Sequence, residues 1–131
     1  MKKTAFWLGG NEEDGWSVQV SLAESGFRVL GTLPFPGIWC RLFQEETDVV
    51  FLEMDSAESS PIDILQEIHS FVPEIPVICL GSEVSLRALW TCMEQGAYDY
   101  LLKPYPLLTG KEIIEETERR GRLSAGKVGA R

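Results

Sequence analysis

Histidine and cysteine are scarce in this chain of 131 residues, which has one histidine and three cysteines. With His69 alone, a histidine-rich metal cluster is excluded. Cys40, Cys79 and Cys92 are far apart and odd in number, which argues against a disulfide framework. Because Cys79 and Cys92 fall in apolar segments, we predict buried free thiols in a reducing compartment.

Long hydrophobic runs are also missing, and each apolar run has the length of a strand rather than of a membrane span. Met1-Lys2-Lys3 is basic, but the glycines and acids of residues 9–14 follow too soon for a signal-peptide core. The length and an apolar content of 44% fit one globular domain. We therefore predict a cytoplasmic protein without a membrane anchor.

Basic side chains are rare until the end of the chain. Residues 1–118 carry seven basic and twenty acidic side chains, a net charge of −13, whereas the last 13 residues carry five basic ones and no acid. A region with this net negative charge repels the phosphate groups of nucleic acids, which argues against direct nucleic-acid binding. We predict a folded domain over residues 1–120. Residues 121–131 then form a flexible basic tail, or a linker toward a possible further output domain.

Short apolar segments alternate with segments of helical character throughout. A continuous apolar run such as the third segment is typical of a strand in a parallel sheet that is covered on both faces. The five predicted strands are Thr4–Leu8, Phe27–Leu30, Asp48–Glu53, Pro76–Leu80 and Tyr98–Leu102.

Capping residues mark the helices between these strands. Gly26 and Gly96 suit helix ends, and Ser60-Pro61 suits a helix start. Residues 38–46 give the weakest helical pattern. The predicted helices begin at Asn11, Ile38, Ser60, Ser82 or Glu83, and Thr109.

Five strands, each followed by a helix, predict an α/β domain with a parallel sheet and helices on both faces. In such sheets a site forms where the strands end, at their carboxyl edge. The residues expected at that edge are Gly9, Gly10, Glu53, Gly81 and Lys103.

Two blocks carry a resemblance to a known family. The apolar strand Pro76–Leu80 is followed, at a fitting distance, by Gly-Ala-Tyr-Asp-Tyr-Leu-Leu-Lys-Pro over residues 96–104. Together they resemble the receiver domain of two-component response regulators, over roughly residues 2–120. The resemblance implies a flavodoxin-like, doubly wound (βα)5 fold. Its five parallel strands would have the order 2-1-3-4-5, with helices on both faces.

The family's chemistry needs two acids after the first strand, an acceptor aspartate, a hydroxyl residue after the fourth strand and a lysine after the fifth. The acids hold Mg²⁺, and the hydroxyl and the lysine bind the phosphoryl oxygens. The resemblance places Gly9 and Gly10 at the acidic pair, Glu53 at the acceptor and Gly81, beside Ser82, at the hydroxyl position. Lys103 is retained, and Tyr100 matches the family's aromatic switch residue.

These replacements predict a degenerate receiver without a metal, a cofactor or enzymatic activity. We expect Glu53 to form an ion pair with Lys103, either as a fixed mimic of phosphorylation or as a structural pair only. An alternative keeps phosphorylation with Mg²⁺ at Asp55 or Glu53, with help from acids of residues 12–14. A second alternative is a flavodoxin-like domain that binds a small ligand.

The family's fourth helix, fifth strand and fifth helix form its contact surface. A homodimer, another protein or a covalently linked DNA-binding or other output domain would use it here. The expected role is a regulatory, dimerisation or partner-binding module in two-component signalling or transcription control. By helical spacing, Trp90 and Met93 are predicted in the core instead. The predicted contact residues are Arg87, Thr91, Glu94, Asp99, Lys103 and residues 110–120.

Overall fold

Strands and helices alternate along the chain in the computed structural model, which describes residues 3–10, 13–55, 60–82, 86–103 and 115. The predicted strands and the first four predicted helices are present, with ends shifted by a few residues. The strands are β1 (Thr4–Leu8), β2 (Arg28–Thr32), β3 (Val49–Glu53), β4 (Val77–Gly81) and β5 (Asp99–Leu102). The helices are α1 (Glu13–Glu24), α2 (Ile38–Gln44), α3 (Pro61–Phe71) and α4 (Leu86–Glu94).

All five strands form one parallel sheet in the order β2-β1-β3-β4-β5. The central strands β1, β3 and β4 are buried along their whole length. Their continuous apolar sequences are explained by this burial, since both faces of a central strand are covered. The predicted fold class and strand order are confirmed.

Two apolar clusters cover the two faces of the sheet. Alternate residues of each strand point to opposite faces, so Phe51 packs with α1 residues while Leu52 packs with residues of α2 and α3. The α1 side also contains Trp7 and Leu22. The functional edge of the sheet is therefore built on strands that are fixed from both sides.

Glycines end two of the helices as predicted. Gly26 follows α1 with φ 92° and Gly96 follows α4 with φ 105°, backbone angles that other residues rarely adopt. Helix α3 begins with Ser60 at the N-cap and Pro61 in its first turn. These local signals were readable because they depend on backbone geometry rather than on tertiary contacts.

Helix α4 contradicts one prediction. Trp90 and Met93 were expected in the core, but their side chains are 67% and 43% exposed, and Leu86 is 84% exposed. The buried residue of this helix is Cys92. Since α4 connects β4 to the edge strand β5, less of the sheet is available to cover it than for α3.

The predicted last helix and the predicted tail lie outside the described residues, except that Glu115 has helical conformation. The proposed boundary at residue 120 therefore stays a prediction. Within the described part of the chain, no helix has the length and apolar character needed to cross a membrane.

Replacement of buried Leu65 tests the core on the α3 side. Leu65 is fully buried, whereas Leu86, on a helix too, is 84% exposed. We expect Leu65→Ala to lower the free energy of unfolding by about 2–5 kcal/mol, because it leaves a cavity. Leu86→Ala should change it by less than about 0.5 kcal/mol. Urea unfolding measures both, and equal losses would contradict this packing.

Candidate functional site at the carboxyl edge of the sheet

The carboxyl ends of β1, β3, β4 and β5 meet at one edge of the sheet. Main-chain hydrogen bonds align them there, from Met54 N to Leu80 O at 2.8 Å and from Lys103 N to Gly81 O at 2.9 Å. The predicted site residues divide into two groups at this edge. One group surrounds Glu53 and the other surrounds Asp55.

Glu53 is an acid held in the protein interior, with 6% of its surface exposed. The indole Nε1 of Trp7 donates a hydrogen bond to Oε1 at 3.1 Å, and the main-chain N of Gly10 donates to Oε2 at 3.0 Å. A buried carboxylate costs free energy unless its oxygens have donors. Both oxygens have one here, so the side chain has a defined position directed toward β1.

Gly9 leaves the space that this carboxylate occupies. Leu8 pairs with Leu52 across β1 and β3, so Gly9 lies beside Glu53 in the next register position. A Cβ atom at residue 9 would overlap the carboxyl group of Glu53, whereas a Cβ at Gly10 would meet nothing within 4 Å. Gly9 and Glu53 are thus sterically complementary, and Gly10 contributes its N–H.

Trp7 supplies the indole N–H that donates to Glu53. This role was not predicted from the sequence. The Trp7 ring stacks on Phe51 at a centroid distance of 5.5 Å and an angle of 19°. The ring also lies close to Gly15 of α1, where a Cβ would overlap the indole. A tryptophan in a buried strand needs a partner for its N–H, and that requirement was the available signal.

Asp55 is the carboxylate that Lys103 binds. Lys103 Nζ lies 3.3 Å from Asp55 Oδ2, and Ser82 N donates to the same carboxylate at 3.1 Å from Oδ2 and 3.3 Å from Oδ1. The predicted ion pair of Glu53 with Lys103 is wrong, because Glu53 turns toward β1 instead. Asp55 stands just past the end of β3, where the chain is free to direct it toward β4 and β5.

The hydroxyl of Tyr100 lies beside Gly81 and belongs to this second group. A Cβ at Gly81 would overlap the Tyr100 hydroxyl and would lie 3.5 Å from Asp55 Oδ1. The absence of a side chain at residue 81 therefore lets the tyrosine hydroxyl enter the site. Asp55 and Tyr100 also line a cavity of about 300 Å³ between α3 and α4, together with Thr91 and Cys92.

Cys79 on β4 and Cys92 on α4 belong to the same buried cluster on this side of the sheet. Their hydrogen bond, together with burial, raises the pKa of Cys79, and the same bond lowers the pKa of Cys92. Both are buried free thiols, as predicted, while Cys40 is exposed.

The predicted contact residues lie along α4 and at the start of β5. Arg87 and Glu94 are exposed, while Thr91 and Asp99 are half-buried. Thr91 Oγ1 donates to the main-chain oxygen of Arg87 at 2.8 Å, which is a bond within the helix. Residues 110–114 and 116–120 of the predicted surface lie outside the described part of the chain.

A divalent cation does not fit the Glu53 group. Two N–H groups point at its carboxylate, and N–H donors present positive charge, which repels a cation. Gly9 and Gly10 supply no side-chain oxygen, although Mg²⁺ requires such hard ligands. The described residues contain no group of three potential metal-ligating side chains. The side chains of residues 12–14 lie outside the described part.

Known proteins with a similar sequence or a similar structure indicate the domain family. The chain is 29% identical over 114 residues to the transcriptional regulatory protein ZraR of Klebsiella oxytoca, an alignment that covers 87% of this chain. It is 28% identical over 104 residues to the DNA-binding transcriptional regulator NtrC of a Bradyrhizobium strain, covering 76% of this chain. A response regulator from Thermotoga maritima superposes with a TM-score of 0.73 at 22% identity, covering 92% of this chain and 98% of that one.

The transcriptional regulatory protein ZraR of Escherichia coli is 31% identical over 90 residues, an alignment that covers 69% of this chain. The chain belongs to the response-regulator receiver domains. No protein-family model matches it. The receiver domain spans only about a quarter of the length of its curated relatives, 24% and 22% of the first two regulators above. The similarity thus concerns one domain of those proteins.

Alanine at residue 9 tests the steric complementarity in this receiver domain. We expect Gly9→Ala to lower the free energy of unfolding by about 1–3 kcal/mol, because the added methyl group overlaps Glu53. Gly10→Ala is the matched control and should have a much smaller effect. Chemical denaturation of both variants checks the difference.

The cost of Gly9→Ala should fall in a Glu53→Ala background, since the overlapping carboxyl group is then absent. A double-mutant cycle measures this coupling. Equal costs in the two backgrounds would contradict the contact between residue 9 and Glu53.

Proposed function

We propose that this receiver domain acts without phosphorylation, as a regulatory, dimerisation or partner-binding module in two-component signalling or transcription control. The observation that carries the proposal is the position of Glu53. Its carboxylate is buried and accepts hydrogen bonds from Trp7 and Gly10, in the space beside Gly9. The residue at the acceptor position is thereby engaged inside the protein rather than presented to a phosphodonor.

Phosphoryl transfer depends on the alignment of the nucleophile and on neutralisation of charge around it. A displacement of about 1 Å can reduce a rate on the order of a hundredfold. Here the carboxylate is longer by one methylene, turns toward β1 and has no acidic neighbours at Gly9 and Gly10. Each change removes a different requirement of the transfer.

The proposed setting follows from the relatives that the chain resembles. Two of them are named as transcriptional regulators, and each is about four times as long as the aligned domain. We infer a cytoplasmic module that is linked to, or binds, a separate output domain. The net charge of −13 over residues 1–118 opposes direct contact with nucleic acid, so that contact is assigned to the partner.

Incubation with acetyl phosphate and Mg²⁺ tests independence from phosphorylation. We expect the intact mass of the domain to stay unchanged, because no correctly placed acceptor and metal site is available. A receiver domain with an intact aspartate and acidic pair serves as the positive control for the donor.

A stoichiometric phosphoryl adduct would contradict the proposal and favour the alternative of a working acceptor. Glu53→Gln and Asp55→Asn then locate it, since loss of the adduct in one variant identifies the residue. Asp55 is the alternative with structural support, as its carboxylate lies beside Lys103.

The proposed contact surface comprises α4 and β5. This α4–β5 surface exposes Leu86, Trp90, Met93 and Leu102, and Leu102 is 38% exposed at the end of the edge strand. Large exposed apolar side chains that lie close together are typical of protein interfaces, where tryptophan often supplies much of the binding energy. We assign this surface to homodimerisation.

Trp90→Glu tests that assignment, with Trp16→Glu as the matched control. Trp90 is 67% exposed on α4 and Trp16 is 68% exposed on α1, which packs on the opposite face of the sheet. We expect Trp90→Glu to weaken self-association at least tenfold, since it places a charge in an apolar contact, and Trp16→Glu to leave it unchanged. Sedimentation velocity over a concentration series measures both. A wild-type domain that stays monomeric throughout contradicts homodimerisation.

A further inference from the structure

Asp55 follows β3 and lies among donors that come from the ends of two other strands, β4 and β5. Its carboxylate is held by Lys103 Nζ at 3.3 Å and by Ser82 N at 3.1 Å. The side chains of Lys103 and Asp55 are 17% and 31% exposed. The contact therefore connects the ends of β3, β4 and β5 in a partly buried environment, where ion pairs are screened less than at the surface.

The donors around Asp55 have the composition of an oxyanion receptor. An ammonium group supplies full charge, and a main-chain N–H supplies a directional hydrogen bond. The hydroxyl of Tyr100 lies over Gly81 close to the same carboxylate, because residue 81 has no side chain to exclude it. Phosphate and sulfate are recognised by groups of this kind.

We propose that Asp55 is a built-in occupant of this oxyanion site, which accepts a free tetrahedral oxyanion only when the carboxylate is absent. The inference rests on the proposed function in one respect, namely that the pocket is not used for phosphoryl transfer. The sequence predicted that Glu53 is the fixed negative charge beside Lys103, whereas the proposal assigns that role to Asp55. The charge that pairs with Lys103 is permanent and belongs to the chain itself.

The covalent attachment of Asp55 favours it over ions in solution. A group tethered near its site has an effective concentration on the order of millimolar or higher. Asp55 follows the rigid end of β3 by two residues, so little of the chain must be ordered to deliver it. Inorganic phosphate or sulfate well below that effective concentration therefore does not displace it.

Asp55→Ala tests the proposal by removing the occupant. The probe is sodium sulfate, titrated against sodium chloride at equal ionic strength, with the amide signal of Ser82 followed by ¹⁵N NMR. We expect a saturable sulfate-dependent shift of the Ser82 signal in Asp55→Ala and none in the wild type. Asp63→Ala is the matched control, since it removes an exposed acid of the same type from α3 and should behave as wild type.

Lys103→Met in the Asp55→Ala background should weaken sulfate binding at least tenfold, because the ammonium group supplies the charge. The proposal is overturned if Asp55→Ala shows no saturable shift, or if the double variant binds as well as the single one. Saturable binding to the wild type also overturns it, and that measurement holds even if Asp55→Ala does not fold. A phosphoryl adduct on the wild type would remove the proposed function but leaves this titration interpretable by itself.

Discussion

A buried carboxylate that is satisfied by an indole N–H fixes the part of the carboxyl edge where β1 and β3 end. Glu53 can remain inside the protein because Trp7 and Gly10 donate to its two oxygens. Trp7 in turn depends on the stacking with Phe51 and on the bare backbone of Gly15. The packing of Trp7 against α1 therefore fixes the position of the Glu53 side chain at the end of β3.

Two acids at the end of β3 have separate roles. Glu53 turns toward β1, and Asp55 reaches across to β4 and β5, where Lys103 and Ser82 hold it. A single negative charge could not satisfy both sides of the edge. This division explains why Lys103 pairs with Asp55 rather than with Glu53, the residue at the acceptor position.

The sequence was sufficient for the fold and for the location of the site, but not for the contacts within it. Strand periodicity and the glycines at helix ends fix the backbone, so the carboxyl edge with Glu53 and Lys103 followed from them. The partner of Lys103 depends on the path of the chain after β3, which spacing does not encode. Trp7 was missed because its role arises from tertiary packing. The exposure of Trp90 was missed because helical periodicity does not say how much sheet lies beside the helix.

The complementarity of Gly9 and Glu53 makes this pocket resistant to stepwise change. An acid introduced at residue 9 collides with the glutamate that is already there. Shortening the glutamate first leaves the indole N–H of Trp7 buried without its acceptor, which is costly in the interior. Each single step toward a metal-binding pair of acids is therefore unfavourable, and the two changes are tolerated only together. Residues 9 and 53 are therefore expected to change together, because each one limits the space or the hydrogen-bond partners that are available to the other.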